Sequence, residues 1–452
     1  MLIKNDFFES AAKAASENTG ISVRYESSFV YRKGLEAARF LLENGLTIIF
    51  MPDARAPLFA YQTWFKVGSR DEDPHRTGLA HLFEHLMFKG TKLHPTGELD
   101  RVMESLGSQT NAATWVDWTF YMETLANRPG NLETVIGFEA DRMANLILDE
   151  ETFRSELEVV KNERRLVVDD SPMGTMSETL FKTAFHEHSY RWPTIGYMEH
   201  LDATSVEELR DFYRRNYAPN NATVVVVGDL DATEFLSAVA QGYAHLEAQP
   251  LTRRGLVTES PQGSARRVEL ELGVSAPQLL FGYRAPAQSD ESYAALELLC
   301  EVLVSGESSR LYRRLVIEEK LALDVHGYVA PFAHPGLFEL AVQGRPGVDV
   351  ERLVAVVEEE LARASEGLTE SEWSKARNNL ELSQFLSLKD AEGCAESLGH
   401  FETNYGDYRL AFQCLERQSA VSDAQLSQVA EQVFARTNQT LVVAMPREEA
   451  IR

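Results

Sequence analysis

Residues 78–91 read GLAHLFEHLMFKGT, and on a helix turning about 100° per residue this stretch has two chemically different faces. With Leu79 as zero, Leu82, Phe83, Leu86 and Met87 fall within roughly 80° of it, which is one apolar stripe. His81, Glu84 and His85 fall at roughly 140° to 240°, where a solvated helix carries Lys, Gln or Ser. Two imidazoles at i and i+4 can point nitrogens at one tetrahedral ion. A carboxylate one step before the second His is close enough to take a proton from water at that ion. With 11 His and 69 acidic residues in 452, chance supplies about 0.04 such patterns. The bland alternative is a core helix whose two His bond to backbone or carboxylates, so the remainder of the chain has to supply a further ligand.

Composition sets outer bounds. The chain has ordinary hydrophobic content, 44%, and length enough for two to four domains. No apolar run reaches the roughly 18 residues of a bilayer span, and the first residues, MLIKNDFFESAAKAASENTG, lack the apolar core of a secretory signal. These features make a cytoplasmic location the expectation. A net charge of −25 argues against nucleic-acid partners and against an anionic membrane surface. Cys300, Cys394 and Cys414 are too few and too scattered for a disulfide framework or a Cys-rich metal site, and are expected to be buried small hydrophobes.

Along the chain, residues 1–36 read as an N-terminal extension with amphipathic helical pieces. FLLENGLTIIFMPD, from Phe40, carries an Asn44-Gly45 hairpin signal between apolar runs. The helix with HLFEH is expected to end at Gly90, after Lys89 in its last turn. A second helix is expected near Glu98–Leu106, and GSQTNAATWVDWTFYMETL reads as a turn and one long strand. Residues 151–168 give a third helix with an apolar stripe of Phe153, Leu157, Val160 and Val167. Glu156 and Glu163 lie two turns apart at the edge of that stripe. Both could be exposed rim residues. Given two His that need a third protein ligand, Glu163 is the better candidate, with Glu156 as the partner that holds a ligand His. The run VVVV in NATVVVVGDLD is a buried strand. A polar connector over residues 249–265 separates a first domain, 37–248, from a second, 266–452.

The second half repeats the first. The shift that lays Ala295 over Leu79 sets Leu298, Leu299, Val302 and Leu303 on Leu82, Phe83, Leu86 and Met87, and lays Leu441 over Val225. Under it His81, Glu84 and His85 meet Glu297, Cys300 and Glu301, and Glu163 meets Asn379. The second copy keeps the apolar face without the ligands. Elsewhere, His186 and His188 in AFHEHSY could form a metal pair but read better as a polar loop. His75 and His94 flank the HLFEH helix, with nothing in the sequence to give them a role.

Beyond HLFEHLMFKGT, the segments FKVGSRDED, GSQTNAAT, ELEVVKNE, TIGYMEHLD, FYRRNYAPNNATVVVVGDLD and GESSRLYRRLV together resemble the M16 metallopeptidases, inverzincins of the short class that includes mitochondrial processing peptidase and bacterial relatives. The resemblance spans about Phe40 to Pro446. It implies an α+β fold of two homologous domains, each a mainly antiparallel sheet with helices packed on one face. It implies one Zn²⁺ held by His81, His85 and Glu163, with Glu84 as general base and Glu156 supporting the site. Asn111 and Ala112 would contact a peptide substrate lying as an added strand in a closed chamber. Active members also use an Arg and a Tyr from a second domain, and here Val316 and Leu323 stand at those places. The resemblance therefore implies a heterodimer in which a homologous subunit carries the missing pair, with a homodimer as the alternative. A scaffold protein of the same fold is the competing, non-enzymatic expectation.

Overall fold

The computed structural model describes residues 6–32, 35–251 and 257–447, which group into two compact units. One comprises Met1–Lys161, Thr194–Gly255 and Leu386–Phe412, the other Asn162–Pro193, Leu256–Phe385 and Gln413–Arg452. The elements in chain order are α1 (Asp6–Thr19), β1 (Val23–Arg32), β2 (Leu35–Leu42), β3 (Thr47–Pro52), β4 (Leu58–Phe65), α2 (Leu79–Leu86), α3 (Glu98–Leu106), β5 (Gln109–Thr114), β6 (Thr119–Ala126), α4 (Asn131–Asn145), α5 (Glu150–Arg164) and α6 (Pro172–Ala184). There follow α7 (Met198–Ala203), α8 (Val206–Asn216), β7 (Ala222–Gly228), α9 (Ala232–Tyr243), β8 (Arg266–Leu272), β9 (Gln278–Arg284), α10 (Tyr293–Leu303), α11 (Arg310–Tyr312), β10 (Ala322–Val329) and β11 (Leu337–Gly344). The chain closes with α12 (Val350–Arg363), α13 (Glu370–Ser387), α14 (Ala391–Tyr405), α15 (Cys414–Ser419), α16 (Asp423–Val433) and β12 (Gln439–Pro446).

The first unit holds a seven-stranded sheet in the order β1-β2-β3-β7-β4-β6-β5, and the second a five-stranded sheet in the order β10-β11-β9-β12-β8. Reading β3-β7-β4-β6-β5 against β8-β12-β9-β11-β10 matches every neighbour and every direction. β3 and β7 pair parallel, as do β12 and β8, and the other shared pairs are antiparallel. The fold is the expected α+β duplication. Asn44 and Gly45 form the turn between β2 and β3, with Gly45 at φ +88°, the left-handed region where glycine has no Cβ penalty.

One helix of each unit comes from the opposite half of the sequence. α14 packs on β4 and β7, and α6 packs on β12 and β9. Alternation along β4 shows what this does. Tyr61 and Thr63 bond to Tyr243 of α9 and Glu139 of α4, whereas Gln62 donates to the Glu392 carbonyl and Trp64 abuts Gly399, both of α14. The sheet is thus covered on both faces, not one. β3, β4 and β7 are almost wholly buried, and strands apolar on both faces require cover on both.

Several expectations shift. Residues 252–256 of the expected connector lie outside the described residues, as do 1–5 and 33–34 of the N-terminal extension. The rest of that extension belongs to the first unit, because α1 buries Phe8, Ala11, Ala12 and Ala15 and β1 pairs with β2. The domain division expected in chain order differs from the compact units by the two exchanged segments. GSQTNAATWVDWTFYMETL forms the hairpin β5–β6. Helix α2 stops at Leu86, ahead of Gly90. Val167 leaves the stripe of α5 for a π-helical turn, Arg165–Asp169, and is exposed.

The repeat also slips by one residue in its last strand. Asn221 donates to the carbonyls of Lys66 and Asn216, and Asn438 donates likewise to those of Arg284 and Val433. Asn438 therefore stands for Asn221, and Leu441 takes the place of Val224, not Val225. A one-residue slip reverses the face of every side chain in a strand, so the pleat fixes this register where residue type among valines and leucines does not.

Candidate metal centre

Helix α2 is seated by its apolar stripe. Leu82 and Phe83 are fully buried and Leu86 is 1% exposed, each such side chain contributing roughly 1.5–3 kcal/mol on burial. Phe83 packs on Phe212, Tyr213 and Tyr217, with ring centroids 5.0–5.7 Å away, and the Tyr121 hydroxyl donates to its carbonyl at 3.3 Å. With that face fixed, His81, Glu84 and His85 must face the other way.

His81, His85 and Glu163 each offer a ligand atom, and these atoms lie within 4.8 Å of one another. The third comes from α5. Glu156, two turns before Glu163, is buried at 7% exposure. It takes Lys89 Nζ at 2.9 Å and lies 3.9 Å from His85 Nδ1. A carboxylate on the Nδ1 side of an imidazole favours the tautomer that leaves Nε2 as a lone-pair donor. Burial, and then the neighbouring His85, push the His81 imidazole down to about 4, so it is neutral at physiological pH, as a metal ligand must be. Two imidazoles and one carboxylate, with Glu84 on the same helix face, form a donor set that suits Zn²⁺ with one position left open.

Asn111 and Ala112 lie on β5, an edge strand of the seven-stranded sheet. Asn111 is exposed and Ala112 half-buried, and among the described residues β5 pairs on one side only, with β6. The other candidates do not join the cluster. His188 accepts from the Tyr190 amide, as a loop residue does, and its Nε2 lies 3.3 Å from His334 Nδ1. His94 packs on Phe138 and sits 3.3 Å from Glu98, while His75 is exposed. Cys300 and Cys394 are buried and Cys414 half-buried, all as free thiols.

The second copy shows the same geometry without a ligand set. Asn379 of α13 donates to Glu301 of α10 at 2.9 Å, so the residues standing for Glu163 and His85 still meet, now through a hydrogen bond. Glu297, in the place of His81, accepts from Gln418 at 3.1 Å, and burial pushes its carboxyl up to about 7. Lys89 as the partner of Glu156 escaped the sequence reading, although its position one turn past His85 was a usable signal. Glu72 escaped as well. Its two oxygens accept the Gly78 and Ala80 amides at the start of α2, and no local pattern marks a cap so far upstream.

The family model described as "Insulinase (Peptidase family M16)" matches residues 51–196, and that described as "Peptidase M16 inactive domain" matches residues 203–380. A relative named "Zinc protease PqqE" from Helicobacter pylori is 29% identical over 417 residues, covering 90% of this chain and 92% of its own. "Uncharacterized zinc protease YmxG" from Bacillus subtilis is 24% identical, covering 88% and 95%. The crystal structure of a protease from Helicobacter pylori superposes with TM-score 0.85 at 28% identity, over 91% of this chain and 99% of that one. The periplasmic protease PqqL from Escherichia coli, at 20% identity and TM-score 0.76, shares the fold over 94% of this chain and 49% of its own length. Among the described residues no helix is long and apolar enough to cross a membrane. With the duplicated α+β units, an HLFEH helix and both family models in agreement, the chain belongs to the M16 family of peptidases.

Proposed function

We propose that this chain is a zinc-dependent endopeptidase acting on peptides or leader segments, and that it is the metal-bearing subunit of a heterodimer enclosing its substrate in a chamber. The observation that carries the reading is the convergence of His81, His85 and Glu163 within 4.8 Å, beside a carboxylate that scaffolding has no need to keep. Relatives named as zinc proteases support the choice of metal. When bound, zinc would polarise the scissile carbonyl and bring the pKa of water toward 7. Glu84 takes the proton of the attacking water and passes it to the leaving amine. Glu156 and Lys89 hold His85 in its ligand tautomer. The open side of β5, with Asn111 and Ala112, receives the peptide as an added strand, a mode that gives main-chain affinity and loose sequence preference.

Val316 and Leu323, where active relatives have Arg and Tyr, motivate the heterodimer with a homologous subunit that brings the pair. The test uses purified chain with and without a co-purifying homologue, an unstructured peptide mixture and mass-spectrometric detection of cleavage. Glu84→Gln is expected to keep one zinc per chain and to lose cleavage by at least about 10²-fold, whereas Glu163→Gln loses the zinc. Cleavage at an unchanged rate by Glu84→Gln would overturn the enzymatic reading in favour of a scaffold. Full activity of the chain alone would overturn the heterodimer.

A further inference from the structure

Helix α2 starts without the side-chain cap that usually satisfies its first amides. Gly78 stands at its N-cap with φ +97° and no side-chain hydrogen bond of its own. The amides are met from outside the helix. Glu72 Oε2 accepts Gly78 N–H at 2.9 Å and Glu72 Oε1 accepts Ala80 N–H at 2.7 Å, and Glu72 is 1% exposed. Burial pushes its carboxyl up to about 8, against the backbone donors of Ala80 and Gly78, which favour the charged form.

A second grip acts on the same point. A Cβ on Gly78 would lie 2.7 Å from the Ile195 carbonyl oxygen, and one on Gly196 would lie 2.4 Å from that of Thr77. The backbones of 77–78 and 195–196 therefore touch. The Thr77 hydroxyl accepts the Tyr197 amide at 3.0 Å and lies 2.9 Å from His200 Nδ1. The segment TIGYMEHLD thus fixes Thr77 and Gly78 from one side, while Glu72 holds the first turn by its amides. His81 follows Ala80 directly, and Glu84 and His85 lie one turn further on.

From this geometry we infer that Glu72 is a positioning residue of the metal centre. It sets the height of α2 along its own axis, and with it the places of His81, Glu84 and His85. The inference rests on the reading that α2 carries the ligands and the base. A base misplaced by about 1 Å costs on the order of 10²-fold in rate, and metal donors tolerate only about 0.2 Å, so control of the helix start is control of the centre.

Glu72→Gln is the informative change, because an amide oxygen accepts one of the two N–H groups while its NH₂ confronts the other. In the full-length, zinc-loaded protein assayed together with the co-purifying homologue, kcat is expected to fall about 10²-fold with KM unchanged. Zinc affinity, read by competition with a chromophoric chelator, is expected to fall about 10- to 100-fold, and the visible spectrum of the Co²⁺-substituted protein to shift. A purely structural role would lower the melting temperature and leave kcat, chelator competition and the Co²⁺ spectrum of the folded protein as in wild type, and that result overturns the inference. Should Glu72→Gln fail to fold, Glu72→Asp, which keeps the carboxyl group but falls short of the amides, undergoes the same measurements with the same criteria. Wild-type cleavage by Glu84→Gln would instead remove the peptidase reading. The chelator and Co²⁺ measurements would still decide whether Glu72 places the donors.

Discussion

Replacing Arg142 by Met tests whether the floor beneath helix α2 is a charge-balanced unit. Arg142 of α4 is 1% exposed, bonds to Glu123 at 3.2 Å and contacts Glu139, and both carboxylates are 1% exposed or less. Its guanidinium lies 4.4 Å from the centre of the Tyr121 ring, the tyrosine whose hydroxyl bonds to Phe83 of α2. Removing the one cation leaves two buried carboxylates without compensation, a change that costs roughly 3–5 kcal/mol. At about 2–4 °C per kcal/mol for units of this size, the melting temperature should drop by roughly 6–20 °C. The pH dependence adds a second signature. Burial, and then Glu139, already raise the Glu123 carboxyl, while Arg142 lowers it. A carboxyl raised in the folded state binds a proton that the unfolded chain has given up, so stability falls as pH rises above the unfolded value near 4.5. Without Arg142 that fall steepens, and the deficit against wild type should be smallest near pH 5 and largest near pH 8. Melting curves by circular dichroism at several pH values provide the assay. The combination Arg142→Met, Glu123→Gln and Glu139→Gln should recover most of the loss, because Thr63 can still donate to Gln at 139. A single Arg142→Met variant melting within about 2 °C of wild type at every pH would refute the reasoning.

Two further outcomes follow from the same geometry. Glu156→Gln, which removes the charge beside His85 Nδ1 and Lys89, should weaken zinc binding about 10- to 100-fold in chelator competition; unchanged affinity would mean that Glu156 serves only its pair with Lys89. His400 of α14 is pushed by burial down to about 4, so the unfolded chain binds the extra proton between that value and 6.5. Stability is then held above pH 6.5 and lost on acidification toward pH 4, by up to about 3 kcal/mol. Glu297, raised to about 7 by burial, works in the opposite sense over its own range. The readout is therefore the difference between wild type and His400→Gln in melting temperature from pH 7 to pH 4, and parallel curves would exclude His400 as the source.

The parts of the site that share one helix were legible in the chain. HLFEH sets two imidazoles and a carboxylate on one side because 3.6 residues per turn puts i and i+4 together, and ELEVVKNE does the same for Glu156 and Glu163. That the two helices meet was an inference from ligand number, and the 4.8 Å cluster agrees with it. Lys89 and Glu72 were invisible as partners, since a hydrogen bond to an amide across a turn leaves no periodic trace. The fold was legible to a similar depth. Asn44-Gly45 marked its hairpin, while the hairpin in GSQTNAATWVDWTFYMETL was hidden by a turn whose residues, Trp115 to Trp118, look like strand.

What the sequence alone determined is local and periodic: the apolar stripe of α2, the ligand spacing on its far face, and a duplicated pattern whose second copy traded His81 and His85 for Glu297 and Glu301. Only the tertiary structure decided the rest. It assigned α14 to the β4–β7 face and α6 to β12 and β9, set β12 one residue from the simplest alignment, and closed the start of α2 with Glu72. The physical reason is common to all three. An amphipathic helix specifies that it must be covered, not by which sheet; a run of valines and leucines is as apolar in either register; and a backbone amide donates to any oxygen that the fold brings within about 3 Å.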